Sequence, residues 1–271
     1  MIKFSIVIPC LNQIEFLKQC LENILHQSYK NFEVIIIDGG SNDGTKALIK
    51  KYSKKYSKFI FWKSEKDNGQ ADAINKGIKK SSGNWIAWQN CDDYYKNKNV
   101  LKIFYENIKN NPSKNLFIGN INLVNKSKKI IREIKYVTPS LYSLVYEGMT
   151  LTNQAAFWSS YVHKDIGYLF NSRINFDYEW FMRILSKYPK GAHHINQILG
   201  CYRLHENQKT YNQTEKDHQV KLFFKKKYGF NQRFYFLKIF LLKFRRFSLY
   251  IFQGNLYYAL RGVFYLLLKK N

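Results

Sequence analysis

A chain of 271 residues with 45% apolar and 17% aromatic content fits a globular protein with a sizeable core, as one large domain or a domain with an appendage. The formal net charge of +25 calls for an anionic partner: a phosphorylated substrate, an acidic membrane surface or nucleic acid. Cys10, Cys20, Cys91 and Cys201 are scattered without CxxC pairing, which excludes a disulfide framework and a cysteine zinc site, and no uncharged apolar run approaches the roughly 20 residues that span a bilayer.

In chain order, Phe4 to Pro9 is a β-rich apolar run, and Glu15 to His26 has helical spacing at Phe16, Leu17, Leu21, Ile24 and Leu25. No charged-then-apolar signal pattern precedes the first strand. Phe32 to Ile37 is a second buried strand, closed by Asp38 and followed by Gly39-Gly40-Ser41-Asn42-Asp43-Gly44-Thr45. Glycines there let the backbone turn tightly and approach a ligand. The loop is neither a P-loop nor a GxGxxG fingerprint. Asp38 can accept from a ribose or base edge, or simply shape the turn. A helix with Ala47, Leu48 and Ile49, a strand at 59–62, a helix from Gly69 to Lys80 and a strand from Trp85 follow. This alternation predicts an α/β fold with a mostly parallel, doubly wound sheet, its nucleotide-binding half in residues 1–100.

The Trp85 strand runs into Asn90-Cys91-Asp92-Asp93. Ligands of open α/β sheets sit outside the carboxyl ends of strands, so the two carboxylates lie where a substrate would. Adjacent carboxylates suit a hard divalent cation such as Mn²⁺ or Mg²⁺. A helix cap or a turn is the competing explanation.

These stretches together resemble the family 2 glycosyltransferases of the GT-A fold. Ser5 to Asn12 looks like that family's opening strand, Ile36 to Thr45 like its uridine-binding turn, and Asp67 to Gly77 like its donor-facing segment, while Asn90 to Asp93 stands at the DxD metal motif. The resemblance covers residues 1–215, with 101–215 as the acceptor half. It implies donor contacts from Pro9, Asn12, Asp38, Gly40, Asp72, Asn75, Asn90 and Cys91. Asn90 replaces the first carboxylate of DxD, so the metal bond falls to Asp92. Ile74 stands where many relatives carry Arg, which leaves phosphate neutralisation to the metal and other cations.

Thr150 to Trp158 resembles the segment entering the acceptor site. Asn153 and Gln154 can hydrogen-bond a sugar, and Trp158 is either a stacking face or core. Asn175 to Ile184 reads as a helix start with acids in its first turn. The resemblance makes Asp177 the general base, with Glu179 the alternative, about 200° around the helix. Arg203 and His205 match a loop that closes over the diphosphate. Arg203 and Lys209 would meet phosphate, and His205 a metal or phosphate. The adjacent His193 and His194 face opposite ways on a strand and read as structural.

The remainder, 216–271, is basic and aromatic, with no acid after Asp217. From Phe234 to Phe252 the pattern is helical: Leu237, Phe240, Leu241, Phe244, Phe247 and Ile251 share one stripe, with Lys238, Lys243, Arg245 and Arg246 opposite. A basic amphipathic helix of this kind suits an anionic membrane surface, or packs on the domain or another subunit of a homo-oligomer. Segregation of the charge to this end speaks against nucleic acid. The reading is therefore an inverting, metal-dependent transferase. It would use a nucleotide-sugar, expected to be a UDP-sugar, and act on a glycan or lipid-linked acceptor at the inner face of the cell membrane. A nucleotidyltransferase acting on sugar phosphates is the alternative.

Overall fold

The computed structural model describes residues 1–206, 208 and 214–261. The expected first strand is β1 (Phe4–Cys10), buried along its whole length. It pairs in parallel with β2 (Phe32–Asp38) on one side and β4 (Trp85–Trp88) on the other, and β3 (Ile60–Ser64) extends the parallel order beyond β2. Strands buried on both faces read as continuous apolar runs, which is why β1 and β2 were visible in the sequence. Between them run α1 (Ile14–Leu25), α2 (Thr45–Lys55) and α3 (Gln70–Lys80). Helix α3 lies tightly on β1: a Cβ on Gly77 would meet Val7 Cγ1 at 2.3 Å.

Beyond β4 the sheet becomes mixed. β5 (Tyr94–Tyr95), β6 (Leu116–Val124), β7 (Ile130–Ile134), β8 (Ala156–Ser159) and β9 (Ala192–Arg203) complete nine strands among the described residues, ordered β3-β2-β1-β4-β8-β6-β9-β5 with β7 against β6. β8 runs antiparallel to β4 and β6, while β6 and β9 are parallel. Helices α4 (Val100–Asn110), α5 (Leu141–Glu147), α6 (Tyr161–Ile166) and α7 (Phe176–Lys187) surround this half. Gly200 of β9 touches the 3-10 turn Asn153–Ala155, where a Cβ would fall 2.4 Å from the Gln154 carbonyl oxygen.

Two helices follow, α8 (Glu215–Lys227) and α9 (Tyr235–Phe252). Thr214 and Asp217 form a reciprocal capping box at the start of α8. The sequence stripe expected on α9 is present, but its orientation reverses one alternative. The apolar stripe does not pack on the domain: Leu237, Phe240, Leu241, Phe244 and Ile251 are exposed, and Lys238, Arg245 and Arg246 of the basic arc face inward while Lys243 stays exposed. The reason is local. Tyr146, the Thr138 carbonyl and Glu147 offer polar partners that only that arc can satisfy.

Candidate active site

Strand β4 ends at Trp88, and the next turn sends two neighbouring carboxylates in opposite directions. Asp93 is 1% exposed. It accepts from Gln154 Nε2 at 2.8 Å, Asn90 Nδ2 at 3.0 Å and the Arg203 backbone N–H at 3.0 Å. Burial, then the nearby charge of Asp92, pushes its carboxyl up against the pull of those donors. Asp93 therefore ties the turn to the 3-10 turn and β9. Asp92 stays partly open to solvent, its Oδ2 2.9 Å from His205 Nε2. The His205 ring packs on Phe16 of α1, with centroids 4.8 Å apart.

Asp92 and His205 offer one oxygen and one nitrogen. Among the described residues no group of three His, Cys, Asp or Glu side chains could cage a metal. Such a pair fits a hard cation that takes its other ligands from substrate phosphates and water.

The glycine turn after β2 is built around Asp38. Its carboxylate is buried and accepts from Ser41 Oγ at 2.5 Å, Ser64 Oγ at 2.6 Å and the Gly40 N–H at 3.3 Å. Asp38 thus shapes the turn, the alternative weighed for it. Gly40 has φ +94°, a conformation costly for any residue with a Cβ. Exposed Asn12 joins the same surface by accepting from the Asn42 N–H at 3.0 Å. Asp72 accepts from the Asn68 N–H at the start of α3 and pairs with Lys76 at 3.1 Å. Asn75 exchanges two hydrogen bonds with the Leu169 backbone, so its amide is occupied by the protein. Asn90 receives Gln70 Nε2 at 2.8 Å. Pro9 and Cys91 sit close together behind the turn. Both are buried, and the Cys91 thiol lies 3.5 Å from the Pro9 carbonyl oxygen, so their side chains belong to the core.

Arg203, expected on the diphosphate, is 2% exposed, with its guanidinium between the rings of Phe16 and Tyr94, 4.9 and 5.4 Å from their centroids. Stacking on aromatic faces and a contact with Gln19 Oε1 at 3.2 Å hold it inside. Lys209 lies outside the described residues.

On the acceptor side, Trp158 is core. It is fully buried against Trp88 and Trp180, and its Nε1 donates to His163 Nε2 at 2.7 Å. Gln154 is turned toward Asp93, while its Oε1 and Asn153 Nδ2 are buried with hydrogen-bonding capacity unused by the protein.

Asp177 opens α7 after Asn175, which holds a left-handed φ of 64° and donates from Nδ2 to the Asp217 carbonyl at 2.9 Å. Phe176 packs near Trp88, centroids 6.2 Å apart, bringing the helix start to the end of β4. The Asp177 carboxylate is partly exposed and accepts the Tyr178 N–H at 2.8 Å. Shielding from water pushes its pKa above the usual 3.8, against backbone hydrogen bonds and Lys221, which pull it down. Glu179, the alternative, has closed surroundings. It is 1% exposed and held by Arg183 at 2.8 Å and the Tyr228 hydroxyl at 2.9 Å.

Phe16, Gln19 and Gln70 support the site and were not singled out from the sequence. Gln70 lies in the donor-like segment, so its position was marked. Phe16 and Gln19 carried only a helix-face signal.

The glycosyl transferase family 2 model matches residues 5–165. The poly-beta-1,6-N-acetyl-D-glucosamine synthase of Staphylococcus aureus is 32% identical over 149 residues, 54% of this chain and 35% of that protein. An uncharacterized glycosyltransferase of Rickettsia bellii is 43% identical over 102 residues, 37% of this chain and 14% of that protein. The chain spans less than two thirds of the length of these curated relatives, and 65% of one from Rickettsia typhi. Among solved structures, residues 1–349 of S. aureus TarS with UDP-GlcNAc share the fold at TM-score 0.66 and 19% identity, over 80% of this chain and 64% of that one. The Pyrobaculum calidifontis mannosyltransferase PcManGT, with GDP-Man and Mn²⁺, aligns at TM-score 0.59 and 11% identity over 100% of this chain and 88% of its own.

Proposed function

The chain belongs to glycosyl transferase family 2 and is a glycosyltransferase, and from that premise we propose that it moves a sugar from a UDP-sugar to a hydroxyl of a glycan or lipid-linked acceptor, with inversion at the anomeric carbon. The observation that carries the reading is the placement of Asp177 at a helix start packed beside β4, the strand whose terminal turn presents Asp92 to His205, which follows β9. The UDP-GlcNAc bound by TarS supports the donor class, and the polysaccharide named for the S. aureus synthase supports the acceptor class. Lipid-linked acceptors would put the enzyme at the inner face of the cell membrane.

Asp92 and His205 would hold a divalent cation, Mn²⁺ or Mg²⁺, which when bound would offset the charge on the departing diphosphate. Asn12, Gly40 and Asp72 border the donor turn, Asn90 steadies the turn that presents Asp92, and Asn153 lends its free amide hydrogen to the acceptor. Asp177 takes the hydroxyl proton as the new bond forms between that oxygen and the anomeric carbon. The bond to the diphosphate breaks on the opposite face, and the nucleoside diphosphate leaves. A carboxylate whose pKa is raised by burial is a stronger base than an ordinary aspartate.

A panel of nucleotide sugars with Mn²⁺ tests this. Metal-dependent release of a nucleoside diphosphate is expected, falling about 100-fold or more in Asp177→Asn. Unchanged turnover in a folded Asp177→Asn protein would remove the residue from the reaction, and pyrophosphate release would point to nucleotidyl transfer instead.

A further inference from the structure

Helix α9 is attached to the domain by its polar side. Lys238 Nζ donates to the Tyr146 hydroxyl at 2.9 Å and Asn231 Oδ1 at 2.7 Å. Arg245 donates to the Thr138 carbonyl at 2.9 Å, Arg246 pairs with Glu147, and Leu242 is buried at the centre of this contact. At about 100° per residue, Phe236, Leu237, Phe240, Leu241, Phe244 and Ile251 fall within an outward arc of roughly 140°. All six are exposed, Phe236 by 87% and Phe240 by 63%. The apolar surface continues through exposed Phe252, Leu256 and Tyr257. A contiguous surface of this kind marks a binding face.

Its charge selects the occupant. No acid follows Asp217 in the sequence, so this segment carries cations alone. Arg233, Lys243 and Arg261 are exposed in it, with the Arg233 guanidinium over the Phe234 ring at 5.2 Å. Aromatic and aliphatic side chains bordered by cations complement an anionic lipid surface: the rings enter the acyl boundary and the cations stay among the headgroups. Among the described residues no helix is long and apolar enough to cross a membrane, so the contact is in-plane.

We propose that the outward face of α9, with Phe240 and Phe244 at its middle and Arg233 and Lys243 beside it, docks this enzyme on an anionic phospholipid membrane. This differs from the simplest amphipathic arrangement, because most of the helix's basic arc grips the domain and its apolar face is what meets lipid. The proposal deepens the reading of a membrane-borne acceptor and rests on it for its purpose, although the binding is measured without turnover.

The test is sedimentation of the full chain with phosphatidylcholine vesicles, with and without phosphatidylglycerol, at low and high salt. Binding is expected to need phosphatidylglycerol and to weaken with salt. Phe240→Glu with Phe244→Glu should lower partitioning by roughly tenfold or more, and Arg233→Gln with Lys243→Gln by roughly fivefold per cation. Unchanged melting and unchanged nucleotide release would show that both pairs of substitutions leave the fold and the site intact. No sedimentation with anionic vesicles, or binding indifferent to both pairs, would overturn the proposal. Lipid-free self-association abolished by Phe240→Glu with Phe244→Glu would assign the face to a second copy and overturn it too. Loss of vesicle binding leaves the transferase reading standing, and loss of turnover leaves the docking standing.

Discussion

Asp93 accepts hydrogen bonds from Asn90, Gln154 and the Arg203 backbone, whereas its neighbour Asp92 offers an oxygen to His205 at the surface. Asparagine at position 93 keeps one acceptor oxygen and turns an amide donor toward groups that are themselves donors. Asp93→Asn should therefore cost about 1–3 kcal/mol of stability, read as a lower urea midpoint. Asp92→Asn should hold its midpoint and lose metal-dependent turnover. A sequence shows two adjacent aspartates but not which one turns inward, because the deciding partners, Gln154 and Arg203, lie far along the chain. The same limit explains Trp158 and Arg203. A tryptophan near an acceptor-like segment and an arginine near a histidine are compatible with a site or with a core, and their contacts with Trp88 and Phe16 come from distant parts of the chain.

Along single elements the sequence was more legible. Apolar runs marked β1, β2 and β4, helical spacing marked α1 and α9, and first-turn acids marked the start of α7 within a residue or two. Which side of α9 faces the domain was hidden. Its docking depends on a carbonyl, a hydroxyl and Glu147 from a segment about a hundred residues earlier. Helix α7 shows what an element adds to a residue. It sets Asp177 at its solvent-touched start and carries Glu179 into a closed set with Arg183 and with Tyr228, which follows α8. Glu179→Gln breaks a buried ion pair and should cost about 3–5 kcal/mol. Turnover per folded molecule should nonetheless stay within a few-fold of normal, measured below the variant's melting temperature. A loss matching that of Asp177→Asn would make Glu179 the base.

Across the whole molecule, the parallel half around β1 was readable because each of its βα units is local in sequence. The mixed half was not, since β8 reaches β4 and β9 reaches β6 over long separations. Two histidines join that half together. His163 accepts from Trp158 on Nε2 and donates from Nδ1 to the Gly167 carbonyl at 2.9 Å. His194 meets Asn120 Oδ1 at 2.9 Å on Nε2 and receives Gln253 Nε2 at 3.1 Å on Nδ1. Each ring is thus neutral, with one nitrogen donating and the other accepting, and burial lowers each pKa from 6.5 to about 4. Between those values the unfolded chain binds protons that the folded one refuses. Stability should therefore be constant above pH ~6.5 and fall as pH drops toward 4, by at most about 3 kcal/mol per histidine. One carboxylate acts lower. Glu33, which burial alone would raise, is held down to about 2 by Lys3, Ser5 and Ser82, so its contribution persists until pH falls below 4.5. Urea midpoints compared between pH 6.5 and 5, with and without a titrating ring, accordingly isolate one histidine. His163→Gln, which keeps an acceptor for Trp158 but cannot titrate, should reduce the slope in that window. A slope unchanged by this substitution would mean that the His163 ring is not the neutral acceptor described here.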